Sequence, residues 1–466
     1  MNVENVRVRF APSPTGHLHV GGLRTALFNW LFAKHYKGTF LLRVEDTDQE
    51  RSKLEYMHSQ LASLAWVGIT SDEVPLIQSE RFAIYTEIAQ SLLSQNKAYR
   101  CDCTAEQVQA RLAAAGITDQ YYGYDGFCRA RTIAQDQQAA IRFALPDDVT
   151  DITFNDLIRG TVTVTKNELA DFVIVRSDGT PMYNFVVVID DFFSKITHII
   201  RGEDHISNTP KQILLYQACG YPLPIFAHIP MILGSDGNRL SKRDGAVDVL
   251  AYRALGYLPD ALLNYIVRLG WSHGDQEVFT QSELVEHFTL QAIGKKPAIF
   301  DYSKLEWMNG VYMRNRSSEN LLTVMQELDD AWRSKVSQWS EIDLIKLISL
   351  YKERTTMVVQ LADVLLALSK APEIYVQDDL SKWMTVESTM LLSSLLETLE
   401  VADWSLEAIQ DVIKNFCKER DIKLVTVAQP LRIALTGGAN SPGIFELLVL
   451  VGKQESIARI GTLLAL

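Results

Sequence analysis

The first 44 residues restrict the fold more than any other segment, because strand, loop, helix and strand patterns follow one another there. Residues 6–12 alternate apolar and basic side chains and stop at a proline, which is typical of a strand. The loop 12–16 contains two prolines and cannot continue a helix. Apolar residues recur at helical spacing from Gly21 onward, and residues 39–44 suit a second strand. Such a strand–helix–strand unit predicts a parallel sheet.

A second α/β stretch begins near Met182. Its patterns predict one helix at residues 209–219 and three strands at residues 183–189, 196–200 and 227–233. The most apolar run, at 185–193, is interrupted by two aspartates and is predicted to be a buried strand. The pattern is helical after Asp248, and strand signals are few beyond about residue 320. The sequence therefore predicts an α/β part followed by a helical part.

The overall composition narrows the class of protein. A length of 466 residues exceeds what one hydrophobic core usually organises, so about two to four domains are expected. The N-terminus lacks a basic and apolar leader, and no apolar stretch is long enough to span a membrane, so we expect a cytoplasmic protein. The net charge of −12 argues against nucleic-acid binding by general basicity. An RNA partner would have to be recognised by shape at a local site.

The segment between the first strand and the first helix is a candidate phosphate site. Its sequence is Ser13-Pro14-Thr15-Gly16-His17-Leu18-His19-Val20-Gly21-Gly22. A helix N-terminus presents free N–H donors and a partial positive charge, which stabilise a phosphate. Glycines at 21 and 22 let a nucleotide lie close to the backbone, and His19 adds an imidazole. A tight turn with an incidental histidine explains the segment equally well when it is considered alone.

Residues 234–245 are a second candidate, because this glycine-bounded loop carries Arg239, Lys242 and Arg243 within five positions. A mobile cationic loop can close over a triphosphate and neutralise charge as pyrophosphate leaves. A basic loop by itself is more often a solvated turn. Because both segments follow strands of a predicted parallel sheet, together they indicate a nucleotide site.

At these two segments the chain resembles class I aminoacyl-tRNA synthetases, whose signatures are His-x-Gly-His and Lys-Met-Ser-Lys-Ser. The chain has His19-Val20-Gly21-Gly22 and Arg239-Leu240-Ser241-Lys242-Arg243. Both depart from the class pattern in the way typical of bacterial glutamyl-tRNA synthetases. Four further segments resemble that family: Arg9-Phe10-Ala11-Pro12-Ser13-Pro14-Thr15-Gly16, Arg43-Val44-Glu45-Asp46-Thr47-Asp48, Ile200-Arg201-Gly202-Glu203-Asp204-His205 and Pro430-Leu431-Arg432-Ile433-Ala434-Leu435-Thr436-Gly437. The resemblance extends over essentially the whole chain.

The resemblance implies a glutamate site, and the charges agree with it. A substrate with two carboxylates and one ammonium needs cations and an anion, and guanidinium binds a carboxylate in a bidentate way that lysine cannot. The family uses the positions of Arg9 and Arg201 for the substrate carboxylates, and that of Tyr183 near the side-chain carboxylate. Ser13 and Glu45 match the positions that take the substrate ammonium. The alternatives are that Glu45 only caps a turn and that Arg9 only forms a surface ion pair.

The resemblance also implies the reaction, which is attack of the glutamate carboxylate on the α-phosphorus of ATP, followed by transfer from glutamyl-adenylate to tRNA. Such a reaction is catalysed by positioning and charge stabilisation, with Mg²⁺ on the phosphates. The implied ATP-binding residues are His19, Gly21, Gly22, Arg239, Ser241 and Lys242. His19 and Lys242 are the implied catalytic residues, which stabilise the transferring phosphates. In this family, tRNA must be bound before glutamate is activated efficiently.

Three of the five cysteines lie in one segment, at Cys101, Cys103 and Cys128. Thiolates at this spacing can supply three corners of a tetrahedral zinc site. Members of the family that bind zinc continue with Cys-x-His, whereas Ala130 stands at the histidine position. The candidates for a fourth ligand are Tyr124, Asp125 and a water molecule. Three reduced cysteines without a metal are the alternative, since an odd count and no leader argue against disulfides.

A second departure concerns the glutamate site. Some family members carry an asparagine four residues after the tyrosine, and Val187 stands at that position here. The contact made by that asparagine is therefore absent from this chain.

The resemblance implies a class I Rossmann-type catalytic domain at residues 1–95 and 181–248. An acceptor-binding insertion with the cysteines is expected at 96–180, a stem-contact region at 249–320 and an all-α anticodon-binding domain at 321–466. The expected partners are tRNA(Glu), L-glutamate and ATP, and a monomer is usual for the family. In the helical part, Trp332, Trp339 and Leu347 are predicted to be core residues rather than base-stacking surfaces.

Three other functions compete with this interpretation. A shorter paralogue attaches glutamate to queuosine on tRNA(Asp), but it lacks the helical anticodon domain. Small-molecule nucleotidyltransferases share the histidine–glycine segment and a basic loop, but they lack the dicarboxylate-binding residues. A non-catalytic RNA-binding paralogue would not need His19, Lys242, Arg9 and Glu45 together. Charging of tRNA(Gln) in addition to tRNA(Glu) is compatible with the same sequence.

Overall fold

A computed structural model describes residues 5–117, 123–238, 240 and 248–466. The chain divides into two compact units. Unit 1 comprises Met1–Tyr252 and Leu262–Tyr302, and unit 2 comprises Arg253–Ala261 and Ser303–Leu466.

The strands lie in the first 300 residues of the chain. They are β1 (Arg7–Phe10), β2 (Thr39–Val44), β3 (Leu76–Ile77), β4 (Ala98–Cys101), β5 (Ala140–Phe143), β6 (Ile152–Asp156), β7 (Gly160–Val164), β8 (Phe172–Val175), β9 (His198–Gly202), β10 (Ile225–Ile229), β11 (Ile232–Leu233) and β12 (Ala298–Ile299). The helices up to residue 300 are α1 (Val20–His35), α2 (Leu54–Trp66), α3 (Phe82–Ser94), α4 (Ala105–Ala114), α5 (Tyr183–Phe193), α6 (Thr209–Cys219), α7 (Val249–Ala254), α8 (Pro259–Arg268) and α9 (Gln281–His287).

The remaining elements are helical. They are α10 (Tyr302–Asn315), α11 (Ser318–Leu328), α12 (Trp332–Lys335), α13 (Glu341–Tyr351), α14 (Val358–Leu368), α15 (Gln377–Trp383), α16 (Val386–Val401), α17 (Leu406–Glu419), α18 (Leu424–Thr436), α19 (Ile444–Val451) and α20 (Lys453–Leu464).

The predicted parallel sheet is confirmed in unit 1. Strand β1 pairs in parallel with β2, with Arg7 opposite Thr39, and β2 pairs in parallel with β3. A second sheet has the order β7-β6-β10-β9, in which β10 is parallel to both β9 and β6. Backbone N–H of Thr197, just before β9, donates to the carbonyl of Arg7 at 2.9 Å. The carboxyl ends of β1, β2, β9 and β10 therefore open on one edge, where ligands of such folds bind.

The prediction of a strand at 183–189, within the apolar run 185–193, is wrong. The segment Tyr183–Phe193 is the helix α5, and Phe185 to Asp191 are all buried. An apolar run buried on every side carries no period, so strand and helix cannot be distinguished from it. The β-branched valines favour a strand by their intrinsic propensity. In the folded protein the tertiary context overrides this propensity, and the segment is a helix.

The other predicted elements of this stretch are found, the helix with its predicted bounds and the two strands with shifted ends. The helix α6 spans Thr209–Cys219 as predicted, with Pro210 in its first turn and Gly220 in the left-handed conformation at its C-cap. The strand predicted at 196–200 is β9, which starts two residues later. The segment 227–233 contains the end of β10 and all of β11, separated by Pro230 and Met231.

Within residues 96–180, two groups of strands differ in their pairing. Strands β4, β5 and β8 form a separate antiparallel sheet next to the cysteines. Strand β6 instead pairs with β10 through Asp156 opposite Phe226, and β7 pairs with β6. This pairing places Asp156 in the same sheet as β9, two strands away from it.

Unit 2 has one hydrophobic core built from helices, which confirms the predicted helical part. Trp332, Trp339 and Leu347 are buried in it, as predicted. The indole N–H of Trp332 donates to the carbonyl of Ala362 at 3.2 Å, and that of Trp339 to Leu450 at 2.8 Å. Both indoles therefore satisfy their polar atom inside the core.

Candidate active site

A cavity of about 1150 Å³ lies at the carboxyl ends of the parallel strands of unit 1. It is bounded by the ends of β1, β9 and β10, by the segment after β2 and by the N-terminus of α1. Eight residues predicted from the sequence line it: Arg9, Ser13, His19, Gly21, Gly22, Glu45, Tyr183 and Arg201. The fold thus brings residues from four separate segments to one cavity. Arg239, Ser241 and Lys242 lie outside the described residues, so their placement stays a prediction.

His19 is the N-cap of α1. Its Nδ1 accepts the backbone N–H of Gly22 at 3.2 Å, which places the proton of the neutral ring on Nε2. A Cβ at position 21 would lie 3.1 Å from the imidazole ring, so glycine leaves room for the ring against the helix start. The helix N-terminus, the imidazole of His19 and the backbone of Gly21 and Gly22 therefore lie together, as predicted.

Arg9 does not form a surface ion pair. It is buried, and its Nε and Nη2 donate to the two oxygens of Asp191 at 3.0 and 3.2 Å. Burial alone would raise the pKa of Asp191, but the charges of Arg43 and Arg9 outweigh it and hold that pKa below its usual range. The buried carboxylate of Asp191, near the end of α5, thus fixes the position of the Arg9 guanidinium in the cavity.

Asp191 also contacts Arg43, which in turn holds Glu45, an acidic residue of the cavity. Arg43 Nη1 donates to Asp191, and Arg43 Nη2 donates to Glu45 at 3.0 Å. Burial raises the pKa of Glu45, and the charge of Arg43 opposes that rise. Two arginines and two carboxylates therefore form a buried network of balanced charge, and Glu45 does not simply cap a turn.

Arg201 is held by neutral acceptors. Its Nε donates to His228 Nε2 at 3.1 Å, and its Nη2 donates to Thr209 Oγ1 at 2.8 Å. Within the described parts of the chain, its Nη1 is buried and has no hydrogen-bond partner. Burial lowers the pKa of Arg201, yet a guanidinium stays charged at neutral pH. A buried guanidinium with an unsatisfied edge is suited to an anionic ligand.

Tyr183 begins α5 and contacts a second imidazole. Its hydroxyl lies 3.0 Å from His205 Nδ1. Burial, together with the nearby charge of Arg201, lowers the pKa of His205 to about 4. His205 is therefore neutral at physiological pH. Val187, one turn after Tyr183, is buried in the apolar core and offers no polar contact.

Four residues of this site were not predicted from the sequence: Arg43, Asp156, Asp191 and His228. A signal existed for Asp191, because an aspartate inside an apolar run must find a buried partner. Its partner Arg9 lies 182 positions away in the chain, and no local pattern connects the two residues.

The cysteine cluster lies beside the β4-β5-β8 sheet. The sulfur atoms of Cys101, Cys103 and Cys128 are all within 4.8 Å of one another. The Tyr124 hydroxyl is 3.4 Å from Cys101 Sγ and 3.7 Å from Cys103 Sγ. Asp125 instead pairs with Arg111. Of the predicted fourth ligands, Tyr124 is thus the side chain closest to the three sulfurs.

Three arginines surround the cysteine cluster. Arg142, Arg111 and Arg131 donate to the sulfurs of Cys101, Cys103 and Cys128 at 3.2, 3.3 and 3.5 Å. Burial raises the pKa of the Cys128 thiol to about 11, so this group ionises at neutral pH only if a cation stabilises it. Three sulfurs with cationic donors around them fit a metal–thiolate centre.

Among the described residues, no helix is long and apolar enough to cross a membrane.

Two family models match the chain. Residues 5–307 match the model described as tRNA synthetases class I (E and Q), catalytic domain. Residues 318–464 match the model described as anticodon binding domain.

The relatives agree with these models. The chain is 46% identical to the glutamate–tRNA ligase of Pelobacter propionicus, covering 98% of each chain. It is 45% identical to that of Geobacter sulfurreducens, again covering 98% of each chain. A crystal structure of a glutamate tRNA ligase from Elizabethkingia meningosepticum, in complex with its amino acid, superposes with a TM-score of 0.88 at 34% identity and covers 99% of both chains.

Proposed function

The chain belongs to the glutamate–tRNA ligases, which are class I aminoacyl-tRNA synthetases, and from this premise we propose which residues carry out the reaction. The reaction is the ATP-dependent ligation of L-glutamate to tRNA(Glu) through glutamyl-adenylate, with release of diphosphate and AMP. The observation that carries the assignment of residues is the cavity of unit 1, which is lined both by Arg201, a buried guanidinium whose Nη1 has no partner among the described residues, and by a helix N-terminus.

Glutamate binding is proposed for the deep side of the cavity. Arg201 and Arg9 bind the two carboxylates, with the Tyr183 hydroxyl beside the side-chain carboxylate. Ser13 and Glu45 bind the ammonium. The network of Arg9, Arg43, Asp191 and Glu45 supports this placement of the carboxylates and the ammonium. It holds the cation of Arg9 and the anion of Glu45 in fixed positions before the substrate binds.

ATP binding is proposed for the mouth of the cavity. The N-terminus of α1, with His19, Gly21 and Gly22, holds the phosphates, and Arg239, Ser241 and Lys242 close over them. Mg²⁺, when bound with the nucleotide, supplies further charge compensation on the phosphates. The side chains His19 and Lys242 stabilise the negative charge that develops as the glutamate carboxylate attacks the α-phosphorus.

The tRNA is the second substrate, and its terminal adenosine hydroxyl attacks the activated carbonyl. We propose that residues 96–180 bind the acceptor end, that 249–320 contact the stem and that 321–466 bind the anticodon. The match of residues 318–464 to an anticodon-binding model supports the last assignment. We place the enzyme in the cytoplasm as a monomer, by the same family resemblance.

The function is tested by attachment of labelled glutamate to purified tRNA(Glu) and tRNA(Gln), with Lys242→Ala as the inactive control. Charging of tRNA(Glu), and its loss in the variant by about a hundredfold or more, is the expected result. Charging of tRNA(Gln) as well would imply a downstream amidotransferase that converts the glutamyl product. Folded protein that charges neither tRNA would overturn the function. The elution mass in size-exclusion chromatography, set against 52.5 kDa, tests the monomer.

We propose that one Zn²⁺ binds at Cys101, Cys103 and Cys128 with Tyr124 as the fourth ligand. The four side chains form a compact set of one phenol and three sulfurs. The three surrounding arginines offset the negative charge of three thiolates around a divalent ion.

The zinc proposal is tested with Co²⁺ as a spectroscopic substitute. Wild-type protein is expected to bind one Co²⁺ with sulfur-to-metal charge-transfer bands. Tyr124→Phe is expected to lower the metal affinity about tenfold or more without loss of those bands, and Cys103→Ser is expected to weaken them. The matched control is Cys219→Ser, a cysteine outside the cluster, which is expected to leave binding unchanged. Equal affinity of wild type and Tyr124→Phe would exclude the tyrosine as a ligand.

A further inference from the structure

Arg201 is oriented by a chain of buried polar groups that reaches across three neighbouring strands. Arg201 lies on β9, His228 on β10 and Asp156 at the end of β6. Arg201 Nε donates to His228 Nε2 at 3.1 Å, and His228 Nδ1 lies 2.7 Å from Asp156 Oδ2. All three side chains are buried.

The hydrogen bonds fix the tautomer of His228. Its Nε2 must accept from Arg201, because a guanidinium has no acceptor atom. The ring proton therefore lies on Nδ1 and is donated to Asp156. Burial lowers the pKa of His228 despite its bond to Asp156, so the ring is neutral.

Asp156 is itself held in one orientation. Its Oδ1 accepts the backbone N–H groups of Ile158 and Arg159 at 2.9 and 2.8 Å. Its Oδ2 accepts the backbone N–H of His228 at 3.0 Å as well as the ring N–H. The carboxylate is thus fixed by the turn after β6, and it cannot rotate away from the imidazole without losing these bonds.

We propose that Asp156 and His228 are positioning residues for glutamate, which hold Arg201 so that its Nη1 edge faces the substrate carboxylate. The inference rests on the proposed role of Arg201 in glutamate binding. The imidazole of His228 separates the charge of Asp156 from the charge of Arg201. A carboxylate in direct contact with Arg201 would neutralise part of its charge, whereas the neutral imidazole orients the guanidinium and leaves that charge for the ligand.

Asp156→Asn tests the chain with a nearly isosteric change. The backbone N–H groups of Ile158 and Arg159 keep the carbonyl oxygen of the new amide at the Oδ1 position, where it also accepts the backbone N–H of His228 at 3.2 Å, so its NH₂ group faces His228 Nδ1. The imidazole must then accept at Nδ1 and carry its proton on Nε2, directly opposite the N–H of Arg201. Two donors would face each other, and the guanidinium would move from its position.

The expected result is a rise in KM for glutamate of about tenfold to a hundredfold, with kcat and KM for ATP changed by no more than about twofold. In the Arg201→Ala background, the same Asp156→Asn change is expected to add no further rise, because the chain acts only through that arginine. A ¹⁵N spectrum of labelled histidine is expected to show the exchange of the His228 tautomer.

Two replacements of His228 give an independent measurement if Asp156→Asn does not fold. His228→Asn places an amide near the Nδ1 position and keeps a donor for Asp156, but it removes the acceptor for Arg201. It is expected to raise KM for glutamate as Asp156→Asn does. His228→Gln carries an acceptor near the Nε2 position and is expected to raise that KM less.

The outcomes separate this inference from the proposed function. Wild-type protein that charges no tRNA would overturn the function itself, and an unchanged KM for glutamate in Arg201→Ala would overturn the role of Arg201. If Arg201→Ala raises KM but Asp156→Asn leaves it unchanged, or raises it equally in both backgrounds, the positioning chain is overturned and the function stands.

Discussion

Replacing Arg201 by alanine is expected to lower kcat/KM for glutamate between about a hundredfold and a thousandfold. Removing one partner of a buried, hydrogen-bonded charge pair costs about 3–4 kcal/mol, which corresponds to this factor. A large effect is expected because, among the described residues, Arg201 donates hydrogen bonds to no carboxylate, so the proposed substrate carboxylate would be its anionic partner. KM for ATP is expected to change by no more than about twofold, since Arg201 is assigned to glutamate alone.

The measurement is glutamate-dependent charging of tRNA(Glu) at saturating ATP, with Arg201→Lys as a second variant. Lysine keeps the charge but cannot reach His228, Thr209 and a carboxylate together, so an intermediate loss is expected. Arg7→Ala is the matched control, because Arg7 lies on the same strand as Arg9 and pairs with Glu73 outside the cavity. A similar loss in the control, or none in Arg201→Ala, would remove Arg201 from the glutamate site.

Replacing Asp191 by asparagine is expected to destabilise the folded protein by about 3–5 kcal/mol, because it leaves Arg9 and Arg43 buried without their shared counter-ion. Thermal unfolding should occur roughly 10 °C lower than in wild type. Glutamate binding should weaken in parallel, since Arg9 and, through Arg43, Glu45 lose their fixed positions.

Denaturant titration followed by circular dichroism measures this change. Asp72→Asn is the control, because Asp72 pairs with the partly exposed Lys34, a pair that contributes less than about 1 kcal/mol, and the asparagine oxygen keeps an acceptor for the backbone N–H of Phe40. An Asp191→Asn protein as stable as the control would show that the buried network is not required for folding.

The pH dependence of the Asp191 effect has a definite sign. The folded protein holds the pKa of Asp191 below its usual value. The stabilisation is therefore fully present above the unfolded pKa, which is about 3.9, and is lost as the pH falls through the folded value. The difference in unfolding free energy between wild type and Asp191→Asn is expected to be the same at pH 6 and pH 8 and to narrow below about pH 4.

Several features were determined by the sequence alone, because short-range patterns encode them. The parallel pairing of β1 and β2 follows from a strand–helix–strand unit whose loop cannot be helical. The helix α6 follows from a proline near its start and a glycine after its end. The spacing of the three cysteines was sufficient to predict a cluster. Each of these depends on neighbours within about 30 residues, for which periodicity and local sterics suffice.

Other features were decided only by the tertiary structure. The run Tyr183–Phe193 is a helix that the sequence could not distinguish from a strand, because residues 185–191 are all buried and complete burial removes the period that separates the two. The partners of the cavity charges come from distant segments, as Arg9 with Asp191 and Asp156 with His228. A charged side chain in the sequence shows that a partner is needed, but which residue serves depends on how the sheet brings its strands together.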